Sequence, residues 1–172
     1  MKSLTQAELT ALLNVAGMFR LMFLCTFNHG LRVSEVLGLT RANLAQYMLD
    51  VQRLKGSKRT VQPLLPEERD GLLALAATST GYLFLPEIAN RASARRQFNR
   101  LMIRYGALAG IPRHKCHAHV LKHTCGRLGY KGGMGLPEIQ THLGHVSGAS
   151  SMVYMQATPE EAASAFAAAA GR

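Results

Sequence analysis

The chain has 172 residues, a length that predicts one domain with its own buried core. Its composition, 48% hydrophobic and 17% charged, excludes a disordered tail or a collagen, and no run approaches the ~20 apolar residues of a membrane-spanning helix. Twenty Lys and Arg against ten Asp and Glu give a net charge of +10, which indicates a polyanionic partner, nucleic acid before an anionic membrane surface.

Capping and turn signals predict helices in the first forty residues. Thr5, with a glutamate three residues on, is a capping box that predicts a helix over roughly 5–16. A second apolar helix should follow to about Asn28, and Gly30 breaks it. A short helix should then begin with Arg32 at its start.

A hairpin is predicted next along the chain. Strand-like runs at 47–54 and 59–65 flank Lys55-Gly56-Ser57-Lys58, whose Gly-Ser pair suits a tight turn. Lys55 should therefore lie at the hairpin tip, where it can enter a DNA groove.

The second half of the chain predicts further helices. Pro66 followed by two glutamates suits the first turn of a helix. Over about 93–108, Phe98 and Leu101 share an apolar face while the arginines lie largely elsewhere, so this helix is amphipathic and basic. Other helices are predicted at 118–128, 137–143, around 149–156 and at 159–169. The fold class is therefore mostly α with a small antiparallel β-sheet (α+β).

Basic residues are concentrated in the segment 88–137, which has no acidic residue but ten Lys or Arg and four His. A polyanion-binding face accounts for this better than chance variation along a solvated surface. The candidate DNA contacts in this segment are Arg95, Arg96 and Arg100.

The cysteines, Cys25, Cys116 and Cys125, are odd in number and form no CxxC pair, so neither a disulfide framework nor a zinc ribbon is predicted. The N-terminal segment lacks the apolar stretch of a signal peptide. Both features predict a cytoplasmic protein, and the expected nucleic-acid partner makes it nucleoid-associated. With no Trp and 6% aromatic residues, duplex DNA bound through its phosphates is favoured over stacking on single strands.

Four separated clusters carry residues suited to phosphate chemistry: GLRVSE at 30–35, the hairpin Lys55, HVLKH at 119–123, and LGH at 143–145 with Tyr154 nine residues later. Each alone predicts little. In this order and spacing they resemble the catalytic domain of the tyrosine recombinase (phage integrase) family, whose motifs read GLRxSE, a hairpin Lys, HxLRH, LGH and a nucleophilic Tyr. The resemblance covers about residues 3–160. RLKGSKRTVQPLL followed by HAHVLKHTCG looks most like the short recombinases that invert fimbrial switch DNA.

The resemblance implies a reaction and a role for each motif. The Tyr154 hydroxyl would attack a phosphodiester of duplex DNA, leaving a 3′-phosphotyrosyl bond and a free 5′-hydroxyl. Arg32 would clamp the phosphate with its planar fork, and Lys55 would protonate the departing 5′-oxygen. His119 would handle a proton or bind the phosphate, and His145 would donate to the phosphate.

The sequence departs from the family pattern at Lys122, where HxLRH has a second clamp arginine. A lysine keeps the positive charge and loses the fork. Three interpretations follow. The enzyme works with Lys122 as a point charge, it is slow, or the chain is a degenerate recombinase that acts as a non-catalytic DNA-binding regulator.

Other polar residues near these motifs have more modest interpretations. Glu35 either orients Arg32 or is solvated, and Lys58 is a candidate phosphate contact. His123 and His142 are interpreted as structural. A metal site is the remaining alternative, because six His and Cys crowd residues 114–125, although their spacing fits no zinc-finger pattern and HEXXH is absent.

The resemblance also predicts the organisation of the protein. Residues 1–172 would form a single tyrosine recombinase catalytic domain, without the N-terminal DNA-binding domain that many members carry. Its chemistry would need no metal and no nucleotide cofactor. The expected partners are double-stranded DNA and further copies of the chain, in a homo-tetramer on paired DNA sites, with no membrane partner.

Overall fold

The first helices lie where their capping signals predict. The computed structural model describes residues 2–171. Helix α1 spans Gln6–Val15 and is closed by the predicted capping box, in which Thr5 Oγ1 accepts a hydrogen bond from the backbone N–H of Glu8 at 3.1 Å. Helix α2 spans Arg20–Asn28. Both predicted helices are therefore confirmed.

A tight turn joins α2 to the short helix α3, which spans Val33–Val36. Gly30 has a φ of +54°, and a Cβ there would lie 2.2 Å from the side chain of Leu143, so the turn needs glycine on both counts. Arg32 occupies the N-cap of α3, and its backbone N–H donates to the Glu35 carboxylate at 2.7 Å. The predicted helix start at Arg32 is confirmed.

Three short antiparallel strands form a sheet in the order β1-β2-β3. They are β1 Leu44–Ala45, β2 Met48–Val51 and β3 Thr60–Pro63. The strands predicted at 47–54 and 59–65 lie where expected but are shorter, and β1 was not predicted because two residues show no alternation. The ladder ends at the pair Val51–Thr60. Beyond it, the backbone N–H of Leu54 donates to Glu35, at 3.0 Å, outside the sheet.

Two longer helices cover the apolar side of α2. Helix α4 spans Pro66–Thr78. Helix α5 spans Arg91–Leu108 and begins slightly before its predicted start, because the side chain of Asn90 caps it. Phe98 of α5 packs edge-on against Phe23 of α2, with ring centroids 5.5 Å apart, and both rings are fully buried. Burial of one such ring stabilises the fold by roughly 1.5–3 kcal/mol.

The C-terminal helices begin near the predicted positions, but the helix predicted around 149–156 ends at Met152, so Tyr154 lies just beyond it. They are α6 His119–Lys131, α7 Leu136–Leu143, α8 Ala149–Met152 and α9 Pro159–Ala169. Helix α6 packs against α2, and α7 ends at Gly144, where a Cβ would lie 2.6 Å from the carbonyl oxygen of Lys58. The end of α7 therefore lies directly on the hairpin. The mostly α fold class with a small antiparallel sheet is confirmed.

The helices of residues 2–171 are all too short or too polar to cross a membrane.

Candidate active site

The residues predicted to carry chemistry meet in one cleft of about 530 Å³. Its lining includes Arg32, Lys55, Ser57, His119, Lys122, His123, His145 and Tyr154. These side chains come from the start of α3, the hairpin, α6, and the segments before and after α8. The fold thus brings the four separated sequence clusters to one place.

The candidate DNA contacts lie outside this cleft. Arg95, Arg96 and Arg100 are exposed on one helix, α5, and Lys58 is exposed just after the hairpin tip. Exposed cations along a helix suit contacts with a phosphate backbone more than contacts with a single reacting phosphate.

Glu35 orients Arg32, the arginine predicted to clamp the phosphate. Its carboxylate is only 4% exposed and accepts hydrogen bonds from the backbone N–H of Arg32 at 2.7 Å and from Arg32 Nη1 at 2.8 Å. Burial on its own would raise the pKa of Glu35, but these bonds and the N–H of Leu54 hold the pKa below its usual value. Glu35 is therefore an ionised partner of Arg32, and the alternative of a solvated glutamate is wrong.

Arg53 is a buried arginine that the sequence analysis did not single out. Its guanidinium donates to the carbonyl oxygens of His29 at 2.7 Å, Gly30 at 3.0 Å and His142 at 3.1 Å, and to Glu35 Oε2 at 3.2 Å. Arg53 follows the buried Val51 by two positions, so strand alternation was the available signal that it points inward. It joins the hairpin to both the α2–α3 turn and the end of α7.

Lys122 lies at the back of the cleft and is 5% exposed. Its Nζ donates to the carbonyl oxygen of Gly30 at 2.8 Å, with that of Leu143 at 3.4 Å. Burial, followed by the positive charges of Arg53 and Arg32, lowers the pKa of Lys122 to about 8, against the opposing charge of Glu35. Lys122 is therefore a cation whose charge is sensitive to mildly alkaline pH.

Tyr154 is 3% exposed and is held between α6 and the segment before α8. Its ring leaves no space for a Cβ at Gly126, which would lie 2.7 Å away, and it stacks on His145 with centroids 6.2 Å apart. Burial, with a smaller contribution from Cys125, raises the pKa of Tyr154 to about 12. The phenol is therefore protonated at neutral pH and needs a proton acceptor to attack.

His123 supplies a base next to that phenol. Its Nδ1 lies 3.3 Å from the hydroxyl of Tyr154, so His123, interpreted from the sequence as structural, contacts the candidate nucleophile directly. Burial, together with the neighbouring His119, lowers the pKa of His123 to about 4. The ring is thus neutral at neutral pH, so Nδ1 can accept a hydrogen bond from the phenol, while the lowered pKa makes the ring a weak base. Its position one helical turn beyond His119 was the signal in the sequence.

The remaining histidines separate into two groups. His145 Nδ1 lies 2.8 Å from Ser151 Oγ, and burial with the Lys122 charge lowers the pKa of His145 to about 4. His119 lies exposed at the rim. Partial desolvation of its ring, followed by the charge of Arg32, lowers the pKa of His119 too. His142 Nε2 donates to the carbonyl oxygen of Asn28 at 2.8 Å, away from the cleft lining, which agrees with its structural interpretation.

The His and Cys of 114–125 do not gather as potential metal ligands. Within residues 2–171, a group of three such side chains occurs at Cys25, His29 and Glu68 instead. There the two ring nitrogens of His29 lie 2.7 Å from Gln62 Oε1 and 2.7 Å from Glu68 Oε1. Hydrogen bonds from His29 to Glu68 and to Gln62 hold this buried group. Because Gln62 lies on β3, the group also contacts the hairpin.

Sequence comparisons agree with this geometry. The sequence model of the Phage integrase family matches residues 2–161. The tyrosine recombinase XerC of Rhodospirillum centenum is 34% identical over 157 residues, which cover 86% of this chain and 45% of that protein. The type 1 fimbriae regulatory protein FimB of Escherichia coli K12 is 32% identical over 158 residues, which cover 83% of this chain and 78% of FimB.

Solved structures share the fold. The crystal structure of XerA recombinase superposes with a TM-score of 0.78 at 22% identity, covering 96% of this chain and 64% of that one. The catalytic domain of bacteriophage HP1 integrase gives 0.71 at 22% identity, covering 96% and 94%. XerH site-specific recombinase, bound to its difH substrate, gives 0.74 at 24% identity, covering 96% and 53%. The chain thus spans about half the length of XerC and of the XerH chain.

Proposed function

Because this chain belongs to the Phage integrase family, we propose that it is a site-specific DNA recombinase that cleaves and rejoins duplex DNA through a 3′-phosphotyrosyl intermediate. One observation carries the proposal: Tyr154, three cations and three histidines line a single cleft. That set offers a nucleophile, a base and charges for the reacting phosphate, which are the parts that phosphoryl transfer needs.

The strand-cleavage step begins at the phenol. The Tyr154 oxygen attacks phosphorus, its proton passes to the neutral ring of His123, and a bond forms between the tyrosine and the 3′-phosphate. The bond from phosphorus to the 5′-oxygen breaks, and Lys55 gives that oxygen a proton. His119, at the rim, binds the phosphate or relays the proton onward. Rejoining runs the same steps in reverse.

Charge builds on the non-bridging oxygens while phosphorus is five-coordinate. Arg32 faces them with a guanidinium that is already fixed by Glu35, so little reorganisation is needed. Lys122 adds a point charge from behind, and His145 donates a hydrogen bond. Each of these groups lines the cleft.

The wider assembly is part of the same proposal. Arg95, Arg96 and Arg100 of α5 bind the phosphate backbone of double-stranded DNA, aided by Lys58. Four copies act on two paired DNA sites, in the cytoplasm, on nucleoid DNA. The XerH complex with difH supports duplex DNA as the substrate class.

A nicked suicide substrate tests the function. Its short 5′ fragment diffuses away after cleavage, which traps the intermediate. The DNA site for the substrate is to be sought among inverted repeats in the sequence that flanks the gene. We expect a DNA-shifted band on a denaturing gel with the native chain and none with Tyr154→Phe. An adduct on another residue would overturn the assignment of Tyr154. DNA binding without any adduct would favour a non-catalytic regulator.

A further inference from the structure

The tip of the hairpin is an exposed turn with little packing of its own. Lys55 and Gly56 both have positive φ, at +57° and +70°, and the turn is closed by the backbone N–H of Ser57 donating to the carbonyl oxygen of Leu54 at 3.4 Å. A Cβ at Gly56 would meet no atom within 4 Å. Lys55 is exposed and has a left-handed backbone conformation, so it needs contacts from outside the turn to hold one conformation.

Arg32 provides such contacts to both flanks of the turn. Its Nη1 donates to the carbonyl oxygen of Leu54 at 3.0 Å, and its Nη2 donates to Ser57 Oγ at 2.9 Å. The Leu54 flank is also held by Glu35, which accepts from the Leu54 N–H at 3.0 Å. On the other flank, Ser57 Oγ supplies the side-chain contact to the clamp.

Beyond Ser57, the backbone N–H of Lys58 donates to the carbonyl oxygen of Gly144 at 2.8 Å. The chain is therefore fixed before Leu54 and after Ser57, and the Arg32–Ser57 bond ties the turn between them to the phosphate clamp. Removing that bond releases the Ser57 side of the tip from Arg32, while the Arg32 contact to Leu54 and the rest of the hairpin stay in place.

We propose that Ser57 is a positioning residue for the cleavage reaction: its hydroxyl, bound to Arg32, aims the Lys55 ammonium at the departing 5′-oxygen. The inference rests on the proposed function, in which Lys55 is the proton donor. Its physical basis is orientation, because displacing a reacting group by about 1 Å can slow a reaction by on the order of 100-fold. The same hydrogen bond would fix the distance between Arg32, which binds the phosphate, and Lys55, which donates the proton.

The test compares two leaving groups under single-turnover conditions at saturating protein. One suicide substrate has the natural bridging 5′-oxygen, and the other has sulfur there, which leaves as a thiolate and needs no proton. We expect Ser57→Ala to slow cleavage of the oxygen substrate by about 10-fold, the worth of one hydrogen bond to a charged group. Cleavage of the sulfur substrate should stay within about twofold of native, because a thiolate leaves without a proton. For that reason Lys55→Ala should also cleave the sulfur substrate within about twofold of native.

Two further variants make the comparison specific. Ser57→Thr keeps a hydroxyl and should restore cleavage of the oxygen substrate. Ser79→Ala removes a serine hydroxyl that donates to the carbonyl oxygens of Gly81 and Tyr82, at 3.2 and 3.3 Å, away from the cleft, and should change neither rate.

Three results would overturn the inference. An equal loss on both substrates would mean that Ser57 acts on the phosphate clamp or on folding. An unchanged rate would mean that the turn holds Lys55 unaided. Faster cleavage would mean that Ser57 competes with the phosphate for Arg32. A native chain that forms no adduct with either substrate would instead contradict the proposed function.

Discussion

Lys122 stands where the family motif has an arginine, and its surroundings show how the shorter head group is used. Nζ contacts the carbonyl oxygens of Gly30 and Leu143, so the charge sits deep beside two turns of the backbone. In the proposed reaction, a lysine there would present a point charge to the phosphate, since it lacks a fork for two parallel hydrogen bonds.

Removal of this charge is the first prediction. Lys122→Ala should lower the cleavage rate by about 100- to 1000-fold, the usual effect of losing one group that stabilises developing charge. Affinity for DNA should hardly change, because it is spread over many phosphates. Single-turnover cleavage and a binding titration measure the two effects. A Lys122→Ala chain that cleaves at the native rate would remove Lys122 from the active site.

The second prediction uses the pKa of about 8 at Lys122. The side chain loses its positive charge as pH rises through that value, so the cleavage rate at subsaturating DNA should fall above about pH 8. Arginine stays protonated across this range, so Lys122→Arg should cleave at alkaline pH without that fall. If the cleavage rates of the native chain and of Lys122→Arg fall alike above about pH 8, the fall must come from another group.

At the scale of elements, Arg53 is the contact that couples the hairpin to the helices. Arg53→Met should lower the free energy of unfolding by about 3–5 kcal/mol, since it leaves Glu35 short of a partner in a buried position. Arg59→Met is the matched control, because Arg59 pairs with Asp50 at the surface of the same hairpin. Urea denaturation should show a large shift for the first variant and little for the second. Equal shifts would contradict a special role for Arg53.

Helix α5 is the element expected to carry DNA affinity. Each phosphate contact contributes about −0.9 to the slope of log K against log salt concentration, so Arg96→Ala should flatten that slope by about one unit. Arg69→Ala, at a half-buried arginine on α4 beside Asp70, should leave the slope unchanged. Unchanged slopes for substitutions at Arg95, Arg96 and Arg100 alike would place the DNA-binding face elsewhere.

At the scale of the whole molecule, α9 is joined to the rest of the chain by ion pairs and buries no residue against it. None of its residues is buried, and Phe166 is 72% exposed. Its acidic first turn pairs with α6, where Glu161 contacts Arg127 and, at 2.9 Å, Lys131. A helix that buries so little in its own chain has a surface available to a second copy.

Truncation tests that surface. Removing residues 158–172 should leave cooperative melting and binding to a single DNA site intact, while synapsis of two sites and recombination are lost. Differential scanning fluorimetry and a two-site gel shift report the two outcomes. Loss of cooperative melting would show that α9 contributes to the fold of its own chain.

The sequence by itself determined the local structure and the order of the motifs. The capping boxes at Thr5 and Thr158 are satisfied within four residues of each cap, so their helix starts were predictable without any tertiary contact. Pro66 marked the start of α4 in the same way. Gly30 marked the break after α2, and its positive φ is a backbone conformation that suits few other residues.

Only the tertiary structure decided how the motifs act on one another. The roles of Glu35, Arg53, Ser57 and His123 depend on neighbours that packing brings from distant positions, and no short-range pattern encodes those distances. The pKa of about 8 at Lys122 likewise depends on burial beneath two turns and on nearby charges. Helix propensity and capping act over a few residues, so their effects can be predicted along the chain. Desolvation and charge pairing depend on the whole packed core, so their effects on these side chains cannot be predicted from the sequence.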